Sequence, residues 1–297
     1  MELKHIEAGQ LRVAYAELGN AQGWPCFLMH GFPYDIHAYQ EVGPLLAAEG
    51  ARVIIPYLRG YGATRFLSPH TPHSGEQAAL GADLLALMDS LGIQKVVRAG
   101  YDWGGRACCI VAALWPERVT ALVTGNGYNI QNIAQAMVPA SPDHELQFWY
   151  QYYFHCERGC HGLEQNREAL CKLLWKLWSP TWNFDDATFA QTAVAFSNPD
   201  FVDVVIHSYR HRFGLVAGDP AVGGIERQLA AQPSITVPTV VVDGDADGVA
   251  GVYAEGKEKF AGPTRQRIFK DCGHNLPQER PQHFADAVLE AKNLTSR

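Results

Sequence analysis

The stretch Lys95-Val96-Val97-Arg98-Ala99-Gly100-Tyr101-Asp102-Trp103-Gly104-Gly105 decides how the rest of the chain is read. Residues 95–99 predict a short buried strand, and from 104 to 114 the apolar spacing turns helical. The joint has the form Gly-x-Asp-x-Gly. A strand turns into a helix this sharply only when small residues stand two before and two after the centre. The turn lifts the central side chain to the top of a sheet and to a helix N-terminus, where a negative charge is favoured. The usual centre is Ser, but no Gly-x-Ser-x-Gly occurs in the chain, so Asp102 is the candidate nucleophile. Alone, the motif could equally be a glycine-rich turn capped by an Asp.

Outward from this joint the pattern is one of alternation. Apolar, β-rich runs at residues 11–18, 26–29, 53–55 and 119–124 read as strands. Residues 76–91 carry Leu80, Leu84, Leu85, Leu87, Met88 and Leu91 at helical spacing, with Ser74 available as a cap. Strands alternating with helices imply parallel βαβ units. The rhythm breaks at about Tyr128. From there to about Gln232 the sequence is helical, irregular and crowded with Trp149, Tyr150, Tyr152, Tyr153, Phe154, Trp175, Trp178 and Trp182. Strand and helix signals resume at 237–242, 266–269 and 284–291. The expectation is an α/β fold with a mostly parallel sheet flanked by helices. Its core is built from residues 1–127 and 233–297, and residues 128–232 are inserted as a helical cap.

Bulk composition narrows the class. The chain has 297 residues, 47% hydrophobic and 19% charged, enough for a sizeable core. A formal net charge of -7 argues against nucleic acid as a partner. The N-terminus does not read as a signal peptide, and no apolar run approaches the ~18 residues of a membrane helix. Seven irregularly spaced cysteines do not suggest a disulfide framework, so the expected setting is a reducing cytoplasm.

Three further features follow the elbow's logic. Val240-Val241-Val242-Asp243-Gly244-Asp245-Ala246-Asp247 reads as a strand delivering acids to the sheet's carboxyl edge, with Asp243, Asp245 and Asp247 all open as the orienting acid. Gly273-His274-Asn275 follows the next strand and supplies a histidine. The order nucleophile, acid, histidine is that of α/β-hydrolases. His30-Gly31-Phe32-Pro33 lets the backbone N–H of Phe32 pair with that of Trp103 as an oxyanion hole. A carboxylate nucleophile also selects the chemistry. With an unperturbed pKa of about 3.9 it is already ionised and can attack an sp³ carbon directly, forming an alkyl ester. The histidine is then free to activate water. Such a substrate carries an epoxide oxygen or a halide as leaving group.

At His30-Gly31-Phe32-Pro33, Arg59-Gly60-Tyr61-Gly62, Tyr101-Asp102-Trp103-Gly104-Gly105 and Cys272-Gly273-His274, the sequence resembles the epoxide hydrolase and haloalkane dehalogenase branch of the α/β-hydrolase superfamily. The resemblance covers nearly the whole chain. It implies Asp247 as the orienting acid. It also implies two lid tyrosines that hold and protonate the epoxide oxygen: Tyr153 in Gln151-Tyr152-Tyr153-Phe154 and Tyr209 in His207-Ser208-Tyr209-Arg210. The expected reaction is epoxide opening to a vicinal diol, on a small, apolar epoxide, with no cofactor and no metal; a homodimer stays open. Haloalkane or haloacetate dehalogenation is the alternative. Arg106, four residues after Asp102, is similar to haloacetate dehalogenases, but Trp103 stands where those carry a second Arg. A third reading is a non-catalytic, ligand-binding relative. Such relatives often lose a triad member, and here all three are present.

Other clusters carry less. Cys156, Cys160 and His161 lack a fourth ligand at suitable spacing for zinc. His207 and His211, at i and i+4, lack the acid of a His-Glu-x-x-His arrangement, and Gly104-Gly105 is not a dinucleotide fingerprint.

Overall fold

Strands buried on both faces read as continuous apolar runs, and Val96–Gly100 is buried at every residue. The computed structural model describes residues 1–249 and 257–294. Its strands are β1 (Leu3–Ala8), β2 (Leu11–Gly19), β3 (Trp24–Met29), β4 (Ala51–Pro56), β5 (Arg65–Phe66), β6 (Val96–Gly100), β7 (Val119–Gly125), β8 (Thr239–Gly244) and β9 (Thr264–Phe269). The helices are α1 (Val42–Ala48), α2 (Gln77–Ser90), α3 (Asp102–Leu114), α4 (Pro142–Gln147), α5 (Trp149–His155), α6 (Glu157–Gln165), α7 (Arg167–Trp178), α8 (Asp186–Ala193), α9 (Phe201–His211), α10 (Gly223–Leu229), α11 (Leu276–Glu279) and α12 (Pro281–Asn293).

The sheet order is β1-β2-β4-β3-β6-β7-β8-β9, with β5 paired to β2. β1, β2 and β4 pair antiparallel; from β4 through β3 to β9 every pairing is parallel. Helices α2 and α3 pack on one face, α1 and α12 on the other. Beyond Arg106, helix α3 is apolar all round, with Ala107 to Ala112 fully buried, because sheet and α2 enclose it. β9 is an edge strand, and Arg265, Gln266 and Arg267 keep that edge polar and exposed.

Helices α4 to α10 lie between β7 and β8. Two contacts tie this segment to the sheet's carboxyl edge. The Trp175 indole Nε1 donates to Pro33 O at 2.8 Å, and Ser179, just past α7, donates to Glu279 at 2.6 Å. No helix among the described residues is long and apolar enough to cross a membrane.

Two readings need correcting. Ser74 does not cap α2: the cap position is Glu76, and the Ser74 carbonyl and hydroxyl accept from Arg59 Nη1 at 2.8 and 3.0 Å. The helical pattern assigned from Gly104 begins two residues earlier, at Asp102.

Candidate active site

The elbow forms because the chain between β6 and α3 leaves no room for anything larger. A Cβ on Gly104 would collide with Met29 O, and one on Gly31 would collide with the Asp102 carboxylate. Asp102 itself has φ of 50°. That left-handed conformation costs a non-glycine residue roughly 1–2 kcal/mol, and the packed turn imposes it. Strain of this kind aims the carboxylate out of the elbow at the start of α3.

Asp102 Oδ1 accepts the Phe32 backbone N–H at 2.7 Å. The Trp103 N–H sits in the first turn of α3, among N–H groups that have no acceptor within the helix. Asp102 Oδ2 faces His274 Nε2 at 3.7 Å. Burial would raise the Asp102 pKa, but His274, Arg106 and the Phe32 N–H together hold it below the usual carboxylate range.

His274 follows β9 on a loop that is fixed from three sides. Its Nδ1 lies 2.7 Å from Asp247 Oδ2. Its backbone N–H is shared between Trp178 O and Ser179 Oγ, each at 3.1 Å. Glu279 accepts the N–H groups of Gly273 and Asn275 at 2.7 and 3.1 Å. Burial pushes the His274 pKa down, but the Asp247 charge and the closeness of Asp102 outweigh it and raise the pKa well above the ordinary histidine value. Asp247 is held in turn by Asn126 Nδ2 at 2.9 Å and the Val249 N–H at 2.8 Å. Of the other two acids, Asp243 lies inside β8 and accepts from Gln266 at 2.8 Å, while Asp245 pairs with Lys270 at 3.2 Å. Only Asp247 reaches the histidine.

Facing Asp102 from the inserted helices is an aromatic wall. Tyr209, on α9, is 1% exposed, with its ring 5.5 Å from Phe32 and 5.9 Å from Trp103. The structure does not bring Tyr153 beside it. Tyr153 lies along α6 with its hydroxyl against Gly162, which as the smallest residue leaves the space that the phenol fills. The place beside Tyr209 is taken by Tyr150, buried on α5 with its ring 5.3 Å from Tyr209 and 5.0 Å from Trp178. Tyr150 and Phe154 share one face of α5, whereas Tyr152 is exposed and Tyr153 half-buried. Burial raises both buried phenols, Tyr150 to about 12 and Tyr209 well above its ordinary value; the Asp102 charge adds to both. They are therefore neutral donors at physiological pH.

Sequence reading also missed the residues that hold the histidine loop and the acid. Ser179, Glu279 and Asn126 sit in no recognisable motif; Ser179 and Asn126 act across more than ninety residues of chain, and Glu279 joins Ser179 to the loop just before it. Two arginines also reach the site. Arg106, 8% exposed, donates from Nε to Asn129 O at 3.2 Å. The Arg212 guanidinium lies 4.2 Å over the Tyr209 ring. The pair His207 and His211, discounted as a zinc site, is used locally: His207 Nδ1 accepts the Gly75 N–H at 3.1 Å, and His211 Nε2 lies 3.1 Å from Glu76.

A half-buried carboxylate on a strand-to-helix elbow, facing a histidine under inserted helices, is the arrangement of an α/β-hydrolase architecture. Residues 26–281 match the alpha/beta hydrolase fold family, and the chain belongs to it. Within that family it is an enzyme similar to epoxide hydrolases. A crystal structure from Klebsiella pneumoniae, described as a candidate epoxide hydrolase, superposes with a TM-score of 0.96 at 45% identity, covering 98% of this chain and 97% of its own. Epoxide hydrolase A of Mycobacterium tuberculosis is 25% identical over 96% of this chain and 95% of its own. A haloalkane dehalogenase from Psychrobacter cryohalolentis is 28% identical over 49% of this chain and 46% of its own.

Proposed function

We propose that the protein hydrolyses epoxides to vicinal diols through an alkyl ester on Asp102. The observation that carries the reading is the pair of buried phenols, Tyr150 and Tyr209, that feel the charge of the half-buried Asp102 carboxylate. An alkoxide is a poor leaving group and needs an acid, which two neutral phenols supply. Asp102 Oδ2 attacks one epoxide carbon as its C–O bond breaks. The departing oxygen takes a proton from one tyrosine, leaving a hydroxyl. Oδ1, held by the Phe32 N–H, becomes the ester carbonyl oxygen. His274 then takes a proton from water, which attacks the Asp102 carbonyl. The oxyanion is stabilised by the Phe32 and Trp103 amides. Cleavage of the acyl C–O bond releases the diol; of the two protons of the attacking water, one ends on the released diol oxygen and the other replaces the proton that the tyrosine gave up. Asp247 keeps the His274 ring oriented and supports its positive charge. The inserted helices, residues 128–232, serve as the cap that closes this site, and a small molecule is the only partner the mechanism requires.

A second reading, dehalogenation, has one observation in its favour: the Trp103 indole Nε1 is buried with no hydrogen-bond partner among the described residues and is free to hold a halide. The test for both is one experiment. His274→Gln is incubated separately with styrene oxide, a bromoalkane and fluoroacetate, followed by intact-protein mass spectrometry; wild-type products are assayed in parallel. The epoxide reading expects a protein heavier by one epoxide molecule, abolished by Asp102→Ala, and a diol from wild type. Halide release without diol would reverse the order of the two readings.

A further inference from the structure

Opening an epoxide needs two phenols, a carboxylate and a histidine. Two guanidinium groups go beyond that requirement. Arg212 lies over the Tyr209 ring, and its Nη1 is 3.4 Å from Gln151 Oε1, while Gln151 Nε2 donates to the Tyr150 hydroxyl at 3.1 Å. The arginine is thus strapped to both tyrosines. Its remaining edge, Nε and Nη2, is buried and finds no hydrogen-bond partner among the described residues. That edge carries the two parallel N–H bonds that fit the two oxygens of a carboxylate. The same chain shows the fit elsewhere: Arg59 Nε and Nη2 hold the two Asp83 oxygens at 2.6 and 2.7 Å.

Arg106 stands one helical turn beyond Asp102. Burial lowers its pKa to about 10, and the Arg212 charge adds to the lowering, against Asp102, Tyr209 and Tyr150, which raise it. Among the described residues neither arginine has a carboxylate within ion-pair distance. The acids nearby are engaged otherwise. Asp102 is held by the Phe32 amide and His274, and Asp247 by His274 and Asn126. Glu226, which feels Arg106, is raised by burial and accepts from Gln77 at 2.7 Å. Neither guanidinium thus has a carboxylate in direct contact, and buried charge without a close partner is costly.

Resting on the epoxide reading above, we propose that the substrate carries a carboxylate, bound side-on by the Nε and Nη2 edge of Arg212, with Arg106 as the second cation. The substrate class is an oxirane bearing an acid group rather than a purely apolar epoxide. The two guanidiniums also offset the repulsion between an anionic substrate and the ionised Asp102.

Three epoxides on one scaffold separate the alternatives: 3-phenyloxirane-2-carboxylate, its methyl ester and styrene oxide. Wild-type kcat/KM is expected to favour the acid over the ester by about 10- to 100-fold, the range of a charge-assisted hydrogen bond. Arg212→Met should raise KM for the acid by a similar factor and erase the preference, while Arg212→Lys should restore part of it. Calorimetric binding of phenylacetate against phenylacetamide to wild type needs neither turnover nor a variant, and phenylacetate should bind more tightly by the same order. Equal binding of the two, or turnover of ester and styrene oxide as fast as the acid, overturns the carboxylate inference and leaves the epoxide reading standing. Arg212-dependent binding of phenylacetate with no epoxide opened supports the anion site and overturns the epoxide reading instead.

Discussion

The sharpest perturbation of the site is the removal of single hydroxyls from the phenols on α5 and α9. Tyr150→Phe, Tyr153→Phe and Tyr209→Phe each delete one oxygen and keep the ring, so aromatic packing is preserved. Tyr150 and Tyr209 are buried, their rings are 5.3 Å apart, and both feel the Asp102 charge. On the proposed mechanism each donates to the oxygen that develops negative charge above Asp102. Loss of one such donor costs ~10²–10³ in rate in a comparable case, or about 3–4 kcal/mol of transition-state stabilisation. Tyr150→Phe and Tyr209→Phe are each expected to slow diol formation by roughly 10²-fold, and the double variant by more than either alone. The Tyr153 hydroxyl lies against Gly162, on a different face of α5 from Tyr150. Tyr153→Phe should therefore stay within about threefold of wild type, the effect of an ordinary change away from the site. The assay is single-turnover diol formation, with denaturant unfolding to show that each variant is folded. A Tyr153→Phe variant as slow as expected for Tyr150→Phe, with Tyr150→Phe unaffected, would refute the assignment.

Further consequences follow from the same geometry. Asp247→Ala should lose up to about 10⁴ in kcat, by analogy with a serine triad. Asp245→Ala should lose little, because its partner Lys270 is a surface residue and such a pair contributes about 0–1 kcal/mol. Ser179→Ala removes one of two acceptors for each of the His274 and Asn275 N–H groups and a donor to Glu279; denaturant unfolding should show a loss of about 1–3 kcal/mol, together with a lower kcat. His30 is fully buried, accepts the Leu58 N–H at Nε2 (3.1 Å), and has its pKa lowered by burial to about 4. The unfolded chain binds that proton near pH 6.5 and the folded one does not, so stability falls as pH drops through this window and levels off below about 4. Keeping that proton off the folded chain from the ordinary histidine value down to about 4 corresponds to about 3 kcal/mol. Wild type should lose that much more stability than His30→Asn between pH 7 and about 4; equal losses would exclude His30 as the source.

What was legible in the sequence was whatever local sterics dictate. The elbow needs Gly100 and Gly104 around Asp102, and a parallel sheet needs runs such as Val240-Val241-Val242; both constraints are local, so they leave a pattern. Strand β1 left a weak pattern because half of it faces solvent. Helix α1 was hidden by Gly43 and Pro44, which are tolerated because the first helical turn has N–H groups without acceptors in any case. The choice between Tyr150 and Tyr153 was not legible, since three phenols within four residues differ only in the face of α5 they occupy. That face is set by what α6 and α9 place against it, and Gly162 has no signature until the helices are packed. Arg212 was invisible for the same reason: its meaning depends on Tyr209 beneath it and Gln151 beside it.

The charges around Asp102 bear on how one site could run both halves of the proposed reaction. In the free enzyme two carboxylates hold the His274 proton, Asp247 at 2.7 Å and Asp102 at 3.7 Å. A protonated His274 cannot serve as a base, but it keeps Asp102 ionised and available as nucleophile. Forming the ester neutralises Asp102, so one of the two charges that raise the His274 pKa disappears at the step after which a base is needed. The remaining carboxylate, Asp247, then orients a histidine that yields its proton more readily. Attack proceeds with His274 protonated, whereas hydrolysis needs it neutral; on this mechanism ester formation eases loss of its proton, and the tyrosinate formed in the same step takes it. The arginines would complete the arrangement. A carboxylate on Arg212 pairs one of the unmatched cations, so substrate binding would leave the field on Asp102 and His274 balanced rather than more negative.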